Sequence, residues 1–195
     1  ISLKEGWNQV GSPFNFTPNV YDASGDDIEP SFYKYSGSGY TTSNTMSPGE
    51  GYWVYAYSST SLKVDYDFYL SLARESVPEK FDWKGNIIAR VNGVNDTQNI
   101  FGVMSGASEE WDSSDRHEPP VIGDYVSVSF DNSHWEERGG FYSTDIHGSS
   151  EVGHEWPLVV KTNQKEQVSL DFEWTETLPA DWNVFLIDKA LESVI

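Results

Sequence analysis

Apolar and polar positions alternate along most of this chain, in short bursts closed by Gly, Pro, Asn or Ser. The clearest case is Val168-Ser169-Leu170-Asp171-Phe172-Glu173-Trp174. In an extended strand successive side chains point to opposite faces, so Val, Leu, Phe and Trp share one face. Similar runs predict strands over 7–10, 31–35, 40–42, 52–57 and 61–66, and then over 86–91, 100–104, 125–130, 141–144, 156–161, 167–174 and 183–187. Turn residues punctuate them at Gly37-Ser38-Gly39, Pro48-Gly49, Asn92-Gly93, Gly139-Gly140, Gly148-Ser149 and Pro179-Ala180-Asp181. No segment sustains a 3.6-residue period; only 189–194 hints at a helical turn. The expectation is an all-β chain with little helix. A small meander or sandwich covers 1–67 and a seven-strand sandwich-like module covers 81–195. Residues 68–80, around Pro78, read as a linker or shared strand.

With 195 residues, either one large β domain or two small ones can bury a core. Apolar residues make up only 37%, but 8 Trp, 11 Tyr and 10 Phe supply large rings in place of aliphatic side chains. The net charge of −19 repels phosphate backbones and anionic membrane surfaces, which argues against nucleic-acid binding. Most of that charge lies in the second module: 3 basic and 8 acidic side chains precede residue 68, against 9 and 23 after it. The absence of cysteine excludes disulfides, thiolate zinc sites and a cysteine nucleophile. No apolar run approaches the roughly 20 residues of a membrane-spanning helix, so no membrane insertion is expected.

The densest local chemistry is FGVMSGASEEWDSSDRHEPPVIGDYVSVSF, residues 101–130. Its carboxylates Asp112, Asp115 and Glu118 are spaced three apart. Asn95 and Asp96 lie in a stretch upstream that also reads as a loop. Hard oxygen donors in flexible loops suit Ca²⁺, which takes six to eight of them. An ion tying the 92–99 loop to the acidic loop is one expectation. The plainer one is that Asp and Asn close turns on nearby backbone N–H groups. Trp111, Trp135 and Tyr40 sit in polar surroundings and are candidates for stacking on sugar rings, whereas Trp7, Trp53, Trp156 and Trp174 fall in strand patterns and read as core. His117, His134, His147 and His154 show neither HxH nor HExxH spacing and read as solvated loop residues. No nucleophile elbow, P-loop or dinucleotide fingerprint occurs.

Two stretches carry a resemblance. GWNQVGSPF from Gly6 and SPGEGYWV from Ser47 resemble the "GWN…GNPF…PGEGYWV" β module of exported bacterial surface proteins. The second half resembles a segment of such proteins that carry a type IX secretion sorting tail. Its matching pieces are Phe101-Gly102-Val103, Ala107, Asp112, Asp115, Glu118-Pro119-Pro120, Phe130, Trp135, Tyr142, Asp145, His147, Trp156 and Leu186-Ile187-Asp188. The pattern departs at Asp145-Ile146-His147, where His stands in place of an expected Arg. The resemblance implies an extracellular or cell-surface bacterial setting and an accessory role beside neighbouring domains, not an activity.

The reading is therefore a non-catalytic accessory module, targeting a polysaccharide or cell-surface glycan through exposed rings, with Ca²⁺ as the one candidate ion. A structural spacer or adhesin stalk is the alternative. A hydrolase with an unrecognised carboxylate pair is the third.

Overall fold

A computed structural model describes residues 1–22, 25–65, 80–150, 153–174, 178–180 and 182–194. The chain is all-β, with sandwich-like stacking of sheets and no helix among the described residues. The expected linker at 68–80 lies almost wholly outside them.

Ahead of that segment, β1 (Ser2–Leu3), β7 (Thr60–Asp65) and β3 (Asn19–Asp22) form a three-stranded sheet in that order. β2 (Gly6–Gly11), β6 (Gly51–Ala56), β4 (Phe32–Tyr35) and β5 (Tyr40–Ser43) form a four-stranded one. Alternation in β6 buries Tyr52, Val54 and Ala56 on one face, against Leu3, Val10, Phe32, Met46 and Leu62.

Beyond it, β8 (Trp83–Val91), β9 (Val94–Val103), β10 (Arg116–His117), β11 (Val126–Asp131), β12 (Phe141–His147), β13 (Leu158–Thr162) and β14 (Ser169–Trp174) join one curled sheet. Its order is β13-β11-β12-β9-β8-β14, with β10 added on β12. β9 and β12 run parallel, unlike the other pairs of this sheet, and the β10–β11 excursion makes the crossover. The curl wraps a core of rings. Trp83 meets Phe101, Trp156, Trp174 and Trp182 at centroid distances of 5.6–6.3 Å, mostly edge to face. Gly85 makes room for this packing, because a Cβ there would come within 2.8 Å of both Phe101 and Trp174.

Three expectations need correction. The 92–99 stretch is not a loop: Asn92 and Gly93, with φ of 47° and 83°, make the hairpin turn, and β9 then runs straight through Asn95 and Asp96. Polar residues hide this strand because they fill the contacts between the two halves of the chain and a bulge near Ile87. Asn99 is fully buried and donates from Nδ2 to the Ile87 carbonyl at 3.0 Å. The strand expected at 183–187 shrinks to β15 (Ile187–Asp188), paired with β16 (Ser193–Val194). The helical hint at 189–194 is that hairpin's turn, closed by Asp188 Oδ1 accepting from the N–H groups of Ala190 and Leu191.

Candidate functional site

The two halves of the chain meet along a seam that begins at Glu29. Only 1% exposed, Glu29 follows the bridge between Ile28 and Ala56, and its N–H donates to the Tyr55 carbonyl at 3.0 Å. Its side chain leaves its own half. Oε1 accepts from the backbone N–H of His117 at 2.9 Å and lies 2.8 Å from His117 Nδ1. Tyr55 stacks flat on that imidazole, 3.7 Å between centroids and 12° between planes. Further along, Tyr40 Oη donates to the Pro120 carbonyl at 2.6 Å, and Asn95 N–H donates to the Ser38 carbonyl at 2.8 Å. Gly39 permits this approach, since a Cβ there would overlap the Asn95 carbonyl oxygen.

The seam encloses a small cleft bordered by Tyr40, Asn95, Asp96, Glu118 and Ser127. Its cavity of about 30 Å³ has room for a water molecule or two and not for a sugar ring. Asp96 Oδ2 accepts from the Val128 N–H at 2.7 Å, and Glu118 Oε1 accepts from Ser127 Oγ at 2.7 Å. Burial, opposed first by the hydrogen bond from Val128, raises the pKa of Asp96. Burial first, and the neighbouring Asp96 charge second, hold Glu118 well above the usual carboxylate range.

The expected calcium ligands do not converge. Asp112 and Asp115 are turn formers: Asp112 accepts from the N–H groups of Ser108 and Ser114, each at 2.7 Å. Asp115 Oδ2 accepts from the Asp112 N–H at 2.8 Å, and its Oδ1 fixes the turn to β12 through the Ile146 N–H at 2.9 Å. Burial pushes the Asp115 carboxyl up to about 8 against those donors. Glu118, Asn95 and Asp96 belong instead to the seam cleft. Four of these five residues thus spend carboxylate oxygens on hydrogen bonds, in two separate places.

The expected sugar-binding rings face inward or are covered. Trp135 is 6% exposed and packs on Tyr142 at 4.9 Å, because the turn after β11 folds it under the curled sheet. Trp111 is half-buried beneath the Arg138 guanidinium, 3.6 Å from its ring centre, and the same guanidinium covers Tyr57 at 4.1 Å. Tyr40 is half-buried in the seam, where burial raises its pKa to about 12. Trp174 is the more open ring, 44% exposed on β14, although its strand alternation pointed to the core.

A further cluster has no signal in residue spacing. His147 Nδ1 at the end of β12, His154 Nδ1, and the carboxylate of Glu109 converge at one end of the curled sheet. The nitrogens are 3.3 Å apart; Glu109 Oε2 is 3.4 Å from the first and Oε1 3.5 Å from the second. The Met104 N–H donates to the His147 carbonyl at 3.0 Å, drawing the Glu109 loop against β12. Gly148 lets that loop in, as a Cβ would meet the Ala107 carbonyl oxygen at 2.5 Å. Asp145, fully buried, places Oδ1 3.1 Å from His147 Nε2, and its Oδ2 accepts from Asn132 Nδ2 at 2.8 Å. Trp156 stacks on His147, 5.0 Å away. Contrary to expectation, neither His147 nor His154 is a solvated loop residue: their side chains are 10% and 1% exposed.

Compared with protein-family models, curated proteins and solved structures, the chain finds no match.

Proposed function

We propose that the chain is a non-catalytic, architectural module of a larger secreted or cell-surface bacterial protein, holding its neighbours at a fixed spacing. The observation that carries this reading is Glu29, a carboxylate of the first half buried among donors of the second. A buried carboxylate pulled away from its donors leaves acceptor and donors unsatisfied, at a cost of about 1–3 kcal/mol or more. That penalty favours one fixed arrangement of the two halves over a hinged pair. Close backbone approach at Gly39 and Asn95 works in the same direction. The extracellular setting rests on the resemblance of the GWNQVGSPF and SPGEGYWV segments to exported surface modules.

Glycan targeting has less support. Of its three candidate rings, Trp135 is in the core, Trp111 lies under Arg138, and Tyr40 is tied to Pro120. The cleft holding Asp96 and Glu118 is too small to seat a sugar between two carboxylates, which weakens the hydrolase reading. Pulldown on a panel of insoluble polysaccharides separates these roles. An architectural module is expected to stay in the supernatant. Retention that Trp111→Ala abolishes would replace this reading with glycan binding.

A further inference from the structure

We propose that Glu109, His147 and His154 form a binding site for a divalent transition-metal ion of the zinc class. Among the described residues they are the group of three His, Asp or Glu whose donor atoms come this close together. Zinc sits roughly 2.0–2.1 Å from imidazole nitrogen, so two ligands of a tetrahedral site stand roughly 3.3–3.4 Å apart. The three separations here are 3.3, 3.4 and 3.5 Å. Octahedral ligands at the same bond length would be closer, roughly 2.9 Å. Ordinary N–H···O hydrogen bonds are also shorter, about 2.9–3.0 Å. The nitrogen–nitrogen distance therefore suits two ligands of a common tetrahedral ion, and the Glu109 carboxylate faces both rings, Oε2 toward His147 and Oε1 toward His154.

The surroundings prepare the rings for that role. An imidazole that binds metal through one nitrogen commonly offers the other, as N–H, to a carboxylate. Asp145 Oδ1 stands 3.1 Å from His147 Nε2, outside hydrogen-bond geometry, so a buried carboxylate lies beside the ring nitrogen that the site does not use. His154 Nε2 is buried with no hydrogen-bond partner among the described residues, so that ring's polar engagement is through Nδ1. Two imidazoles and one carboxylate favour zinc over calcium or magnesium, which prefer oxygen donors. Trp156 covers the imidazoles, while Glu109, with its side chain 60% exposed, leaves the outer side open. Three protein ligands leave a fourth place for water or for a group of another molecule.

The site would clip the Glu109 loop, the end of β12 and the segment before β13. Calorimetric titration of the chelator-treated chain with zinc chloride tests it, together with the visible spectrum of the cobalt(II) form. The expected result is one ion per chain, a tetrahedral cobalt spectrum, and a rise in Tm with zinc. Glu109→Ala and His154→Gln are expected to weaken binding at least tenfold with unchanged circular dichroism, and His134→Ala to leave it intact. Glu109 is exposed, so its removal does not threaten the fold. Zinc binding absent from the folded wild-type chain, or surviving either ligand change undiminished, would overturn the proposal.

Discussion

Glu29 and His117 are 88 residues apart in the chain and meet at 2.8 Å, both side chains buried. Glu29→Ala would leave the His117 ring and N–H without their acceptor inside the protein. Leaving buried donors unsatisfied costs about 1–3 kcal/mol. For a chain of this size that is a fall in Tm of about 2–12 °C. Glu29→Gln keeps an acceptor oxygen and is expected to cost less. Thermal melts followed by circular dichroism check the order; an alanine variant as stable as the wild type would remove the pair from the account of the seam.

Three acids, Asp115 buried and Asp96 and Glu118 half-buried, are expected to set the pH response. Asp96, Asp115 and Glu118 all have raised pKa values, Asp115 to about 8. Between the unfolded value, near 4, and the raised folded value, the native state binds more protons than the unfolded chain. Stability therefore falls as pH rises across that window. The Asp115 contribution is fully present below about pH 4 and lost as pH rises through about 8, and Asp96 and Glu118 act in the same direction. Glu118→Gln, which removes a like charge beside Asp96, is expected to raise Tm at pH 8 and flatten the profile between pH 5 and pH 8. Urea midpoints for both proteins across that range measure it, and parallel profiles would argue against the assignment.

Gly39→Ala probes the seam from the backbone side. The new Cβ would overlap the Asn95 carbonyl oxygen and lie 2.7 Å from Asn95 Oδ1. The side-chain oxygen can swing away, but the carbonyl belongs to β9 and cannot. Overpacking of this kind costs about 1–3 kcal/mol. Gly140→Ala, where a Cβ meets nothing within 4 Å, is the matched control and should melt near the wild-type temperature.

The tryptophans separate core from cover. Trp135→Ala is expected to cost about 3–5 kcal/mol, as removal of a large core ring does. Trp111→Ala, half-buried under Arg138, should cost clearly less. Equal losses in denaturant titrations would mean that Trp111 carries as much of the core as Trp135.

Strand alternation made most of the fold legible, because β6 buries apolar side chains in the core of the first half and β11 to β14 bury theirs in the core of the curled sheet. β9 was legible only in its apolar end. Its Asn95 and Gln98 contact the other half of the chain while Asp96 accepts from the Val128 N–H of β11, and polar residues at such contacts look like loop. Glu29 stood alone among many carboxylates, with no local pattern to mark its partner 88 residues away. His147 and His154 meet only because the chain returns after β12. Convergence of that kind leaves no fixed spacing for a motif search to find.

Whether the two halves form one rigid unit is tested most directly by a distance between them. The chain has no cysteine, so single spin labels can be placed at Ser61→Cys and Lys165→Cys, both exposed. Pulsed electron-resonance spectroscopy of the doubly labelled protein is expected to give one narrow distance distribution, broadened by Glu29→Ala. A broad or two-peaked distribution in the wild-type background would contradict the locked seam.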